Sequence, residues 1–131
     1  MNYKKFFRNS CKFIDNVGYD DKTLLCCIKP LYKGDYEVDA LVSPIIIFLH
    51  TIGVTTLASC CGHGGGDGGY IWVKDFYFDI PQRLGKLQKI CYQSDIDEKS
   101  TLRWKTGNIE ETRNKMKLIL KTLIKAYGNI M

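Results

Sequence analysis

The chain has 131 residues and a formal net charge of +5, with 45% hydrophobic and 25% charged residues; this is the composition of one ordinary globular domain spanning 1–131. No apolar run approaches the roughly 18 residues that a membrane-spanning helix needs, and the start, Met1-Asn2-Tyr3-Lys4-Lys5-Phe6, has no apolar leader segment. The expectation is an intracellular protein without a membrane partner, whose modest positive charge favours acidic partners.

Tyr3 to Val17 places Tyr3, Phe6, Phe7, Cys11, Ile14 and Val17 at helical spacing, with Lys4, Arg8 and Lys12 on another side and Gly18 as a stop. Leu24 to Ile28 is a short apolar run bounded by Pro30, which predicts a buried strand over 22–29. Lys33-Gly34-Asp35 then forms a turn, and a shorter strand follows over 36–41. Ser43-Pro44 reads as an N-cap followed by the first helical residue. That helix runs to Thr51, and Gly53 closes it. His50, near its end, gains from the helix dipole when protonated.

Val54, Thr55 and Thr56 are β-branched and suit a strand. The strand runs into Ser59-Cys60-Cys61-Gly62-His63-Gly64, where two thiols and an imidazole follow one another around a glycine. Zinc prefers these donors, and Gly62 lets the backbone bend so that Cys60 or Cys61 and His63 converge. Structural zinc usually takes four protein ligands. Cys26 or Cys27, on a strand neighbouring 54–59, would complete the set. The glycine run Gly64 to Gly69 (interrupted by Asp67) reads as a flexible loop between strands; as a phosphate cradle it lacks the Gly-Lys-Ser/Thr of a P-loop.

Tyr70 to Phe78 predicts one long strand, or a hairpin turning at Lys74-Asp75. Tyr70, Trp72, Phe76 and Phe78 would share one face and Ile71, Val73 and Tyr77 the other, as in a central strand covered on both sides. The aromatic residues suit a core, or a platform for nucleic-acid bases. Asp79 and Pro81 would open a helix carrying Ile80, Leu84, Leu87 and Cys91 on one stripe and ending near Gln93-Ser94. A charged loop over 95–100 precedes an edge-type strand over 101–106, with Leu102, Trp104 and Thr106 on one face. Asn108, with Glu111 three residues on, caps a last helix that reaches Tyr127 and stops at Gly128. Its apolar stripe is Met116, Ile119, Leu120, Leu123, Ile124 and Tyr127. Arg113, Lys117, Lys121 and Lys125 form an i, i+4 basic row, which is either a solvated face or a track for phosphates.

The fold class this predicts is α+β, a mixed or antiparallel sheet of about four to five short strands with about four helices packed on it.

The run Ser43-Pro44-Ile45-Ile46-Ile47 through His50, Gly53, Val54 and Thr55 to Ser59-Cys60-Cys61-Gly62-His63-Gly64 resembles a group of small viral proteins, from bacteriophages and archaeal viruses, that carry no assigned biochemistry. The resemblance covers Val38 to Val73, and the whole composition looks most like a crenarchaeal virus open reading frame. Phage members often carry a further Cys ahead of the helix, where this chain reads Val38-Asp39-Ala40-Leu41. The resemblance implies a viral protein acting in the host cytoplasm; it implies no reaction.

Two functions follow. One is a small binding module with structural zinc held by Cys60, Cys61, His63 and Cys27 or Cys26, contacting nucleic acid through Arg113, Lys117, Lys121 and Lys125, or another viral or host protein. The alternative is a metal-dependent or thiol enzyme using Cys60 or Cys61 with His63, the imidazole oriented by Asp67 or Asp79. Reduced core thiols and disulfides are the competing readings of the six cysteines.

Overall fold

The computed structural model describes residues 2–17, 39–60, 68–78, 80, 84–87, 91–96, 99–105 and 108–128, with backbone alone for 92–96 and 99–100. The described residues form an α+β fold with three α-helices and four strands: α1 (Tyr3–Asn16), α2 (Ser43–Thr51), β1 (Thr55–Cys60), β2 (Gly69–Lys74), β3 (Cys91–Ile96), β4 (Lys99–Trp104) and α3 (Ile109–Tyr127). The sheet order is β1-β2-β4-β3, and every pairing is antiparallel. The chain leaves β2, passes one strand position, and returns through the β3–β4 hairpin to fill it.

α1 begins at Asn2, whose side chain accepts from the Lys5 amide. α3 begins at Asn108, whose Oδ1 accepts from the Glu111 amide at 2.8 Å, as the spacing of these residues predicts. α2 is apolar along nearly its whole length, and Ile45, Ile46, Phe48 and Leu49 are fully buried. Such a helix belongs inside a core rather than on its surface. Gly53, at φ +88°, closes it. The Gly53 amide donates to the His50 carbonyl and the Val54 amide to the Leu49 carbonyl; this is the Schellman arrangement, which requires the left-handed conformation that glycine adopts without strain.

One core joins the helices to a single face of the sheet. Ile71 and Val73 of β2, Leu102 and Trp104 of β4, and Cys91 of β3 meet Met116, Ile119, Leu120 and Leu123 of α3 there. Trp104 lies across Gly69, so a Cβ at Gly69 would collide with the indole, and one at Gly68 would lie 2.6 Å from the Trp104 carbonyl oxygen. Those two glycines therefore serve packing as well as the turn. α1 runs antiparallel to α3: Asp15 meets Lys117 near one end, and Tyr3 lies against Gly128 at the other.

Several expectations are corrected. Ser43 is the first helical residue rather than the N-cap; its hydroxyl donates back to the Ala40 carbonyl at 2.7 Å, and Val42 occupies the cap position. Ala40 to Val42 is a turn, not the end of a strand; the rest of the 36–41 prediction and the 22–29 strand lie outside the described residues. Where a helix was expected from Pro81 to Ser94, the described residues form a short 3-10 turn, Gly85–Leu87, and, from Cys91, the strand β3; 81–83 and 88–90 lie outside the described residues. Leu84 and Leu87 are both fully buried. Their i, i+3 spacing suits a 3-10 turn as well as an α-helix, and pairing with β4 draws Cys91 to Ile96 into the sheet. Most of the expected charged loop over 95–100 is paired, Asp95 with Ser100 and Ile96 with Lys99.

β4 is an interior strand rather than an edge one. Its alternation reports one buried face and says nothing of its place in the sheet. β2 ends at Lys74, and Asp75 at φ +55° redirects the chain. Phe76 and Phe78 consequently leave the sheet face predicted for them. Phe76 makes edge contacts with Phe78 and with Tyr127 of α3, at centroid distances of 5.2 and 5.3 Å.

Candidate metal knuckle and basic helix surface

β1 carries the first residue of the knuckle. A bulge at Leu57 shifts the register, so that Thr56 pairs with Val73 while Ala58 pairs with Trp72 and Cys60 with Tyr70. Opposed residues of an antiparallel pair share a face. Thr56 therefore faces the core with Val73, whereas Cys60 lies on the opposite face beside half-buried Tyr70. The Arg103 guanidinium sits 5.7 Å from the centre of the Tyr70 ring on that face. Cys60 is half-buried and stands as a thiol, as do Cys11 and Cys91. The other expected ligands, Cys61, His63, Cys26 and Cys27, lie outside the described residues, as does most of the glycine loop. Among the described residues no group of three His, Cys, Asp or Glu side chains is placed to hold a metal ion.

His50 sits at the far end of β1 from Cys60. Its Nε2 shares a 2.8 Å hydrogen bond with Thr56 Oγ1, and at 3.2–3.4 Å per strand residue Thr56 is roughly 13 Å from Cys60. Burial lowers the pKa of His50. Desolvation of the imidazolium thus outweighs whatever the helix dipole offers, and the neutral ring is favoured. Cys91, predicted on a helix, instead opens β3, but it is a core residue as expected: it is 5% exposed, and burial pushes its thiol up to about 12. Cys11 is half-buried at the α1–α3 seam. Burial raises its pKa too, against the lowering influence of Lys117 and Lys121. Neither thiol has the depressed pKa of an activated nucleophile.

The basic row of α3 divides. Arg113 turns toward α1: its Nη2 donates to the Val17 carbonyl at 2.6 Å and its Nη1 pairs with Glu110 at 3.2 Å. It thereby serves the C-terminal end of α1, where carbonyls lack helical partners. Lys117 pairs with Asp15 at 2.7 Å. Lys121 and Lys125 are exposed, and so are Lys4, Lys5, Arg8 and Lys12 of α1. The spacing within each helix does not show that the basic residues of the two helices are neighbours. Lys4, Arg8, Cys11 and Asp15 fall on one stripe at i, i+4, i+7 and i+11. The Asp15–Lys117 bond and the influence of Lys121 on Cys11 fix that stripe beside the row on α3.

Compared with known protein families, curated proteins and solved structures, the chain matches none. Among the described residues no helix is long and apolar enough to cross a membrane.

Proposed function

We propose that this chain is a small viral binding module that acts by contact rather than turnover, with structural zinc at its Cys-Cys-Gly-His knuckle and nucleic acid as its partner. The observation that carries the binding reading is the side-by-side array of cations on α1 and α3, in which Asp15 is the acidic residue at the seam. For the metal, the support is donor chemistry together with the position of Cys60. A half-buried thiol at the last residue of a hydrogen-bonded strand is held by backbone pairing, and the following residues supply a second thiolate and an imidazole. Zinc bound by the native state alone would stabilise the fold.

Elemental analysis of untagged protein, with a free-thiol count, tests the metal. About one zinc per chain is expected, with a lower unfolding temperature after chelation and loss of zinc in Cys60→Ser and His63→Ala. Metal-free protein with six titratable thiols and an unchanged melting curve on chelation would refute the zinc site. The enzyme alternative would instead show as an activity abolished by Cys61→Ala or His63→Ala with the fold intact.

A further inference from the structure

We infer that the paired outer surfaces of α1 and α3 form one phosphate-binding face, on which Lys4, Arg8 and Lys12 of α1 act together with Lys121 and Lys125 of α3, and that its ligand is the sugar–phosphate backbone of nucleic acid. The inference deepens the binding reading above and is independent of the metal.

Three observations converge on it. The helices run antiparallel, and three contacts pin them: Arg113 to the Val17 carbonyl, Lys117 to Asp15, and Tyr3 against Gly128. This places Lys125 alongside the Lys4–Arg8 end of α1 and Lys121 alongside Cys11. The cations of each row are spaced four residues apart, about 6 Å along a helix axis, and packed helices lie about 8–10 Å apart. Two parallel rows at that separation match a string of phosphates better than a single bound anion. Finally, local neutralisation is slight. Asp15 is engaged by Lys117, and the acidic pair Glu110 and Glu111 lies in the first turn of α3, about three turns from Lys121 and about four from Lys125.

The surface is suited to backbones and not to membranes. Insertion into a bilayer interface needs several apolar side chains beside the basic ones. Among the described residues the large exposed apolar side chains are Tyr77 and Leu118, and Leu118 alone belongs to this helix pair. Contacts from lysine and arginine to phosphates carry no sequence information, so recognition through the backbone would be indifferent to sequence.

The test is a fluorescence-anisotropy titration of an arbitrary-sequence DNA duplex, repeated with a single strand and across a salt series, on wild type, Lys4→Ala/Arg8→Ala, Lys121→Ala/Lys125→Ala and the control Lys86→Ala. Lys86 is an exposed lysine on the 3-10 turn and belongs to neither basic row. Logarithmic affinity for the duplex should fall linearly with logarithmic salt, with a slope of about −0.9 per phosphate engaged. Each double variant should lose about tenfold or more in affinity and lower the slope's magnitude by nearly 2, since each removes two phosphate contacts. Lys86→Ala should match wild type. Alanine suits exposed helix positions, so the variants should retain wild-type circular dichroism. The inference is overturned if wild type binds neither nucleic acid at low salt, if Lys86→Ala loses as much as the double variants, or if phosphatidylserine vesicles capture the chain in preference to both nucleic acids. Zinc content measured on the same preparations separates failure of this surface from failure of the knuckle.

Discussion

Cys91 begins β3 with its side chain against the helices, and burial alone raises its thiol from 9.0 to about 12. Ionising it would put a charge in the core that Lys115 offsets only in part, so the folded chain holds the proton over a range in which the unfolded chain has released it. Below pH 9 both states are protonated and the stabilisation from the raised pKa is fully present. Between pH 9 and 12 it is lost, by up to about 4 kcal/mol over the whole window. Chemical denaturation at stepped alkaline pH should show this fall, and Cys91→Ala should flatten it. The sequence marks Cys91 as a core thiol because it falls on an apolar stripe, although the element carrying it was misjudged. His50 shows the converse. At a helix end a protonated ring would gain from the dipole, but only the tertiary structure reveals the burial that favours the neutral one, hydrogen-bonded to Thr56 Oγ1.

The helices announce their ends through local chemistry. Asn108 satisfies the Glu111 amide, and its backbone carbonyl accepts both the Thr112 amide and the Thr112 hydroxyl. Replacing it with alanine should cost about 1 kcal/mol, measured as a shift in the urea midpoint with little change in slope. Gly53 is legible for the same reason: caps and left-handed closures depend on residues adjacent in the chain. The strand Cys91–Ile96 was not legible as such from the pattern running from Ile80 to Ile96. That pattern's apolar spacing fits a 3-10 turn, an α-helix, or a turn followed by a strand, and the partner that decides, β4, lies beyond it in sequence. Ser43 was misread because its hydroxyl has two carbonyl- or amide-directed roles available, and the turn at Ala40 to Val42 selects the backward one.

Across the whole molecule, the packing of α1 against α3 gathers like charge that neither helix concentrates alone. Lys4, Arg8, Lys12, Lys121 and Lys125 repel one another in the folded state more than in an expanded chain. Sodium chloride screens charges beyond about 10 Å at 0.1 M. Thermal unfolding temperature should therefore rise by about a few degrees between 50 and 300 mM sodium chloride, and Lys121→Ala/Lys125→Ala should lose part of that rise while melting higher than wild type at low salt. A site that binds a polyanion commonly carries this penalty without its ligand, and an added duplex should offset it.

The sequence by itself determined the α+β class, the three helices with most of their limits, the β-character of residues 55–60, 70–74 and 101–104, and most of the buried stripe of α3. All of these depend on periodicity and on caps within a few residues. Tertiary structure alone decided the sheet order, the conversion of a helical pattern into β3, the inward turn of Arg113 and the meeting of two basic rows. Each of these is a pairing between segments far apart in the chain, chosen by packing and hydrogen bonding that no local spacing encodes.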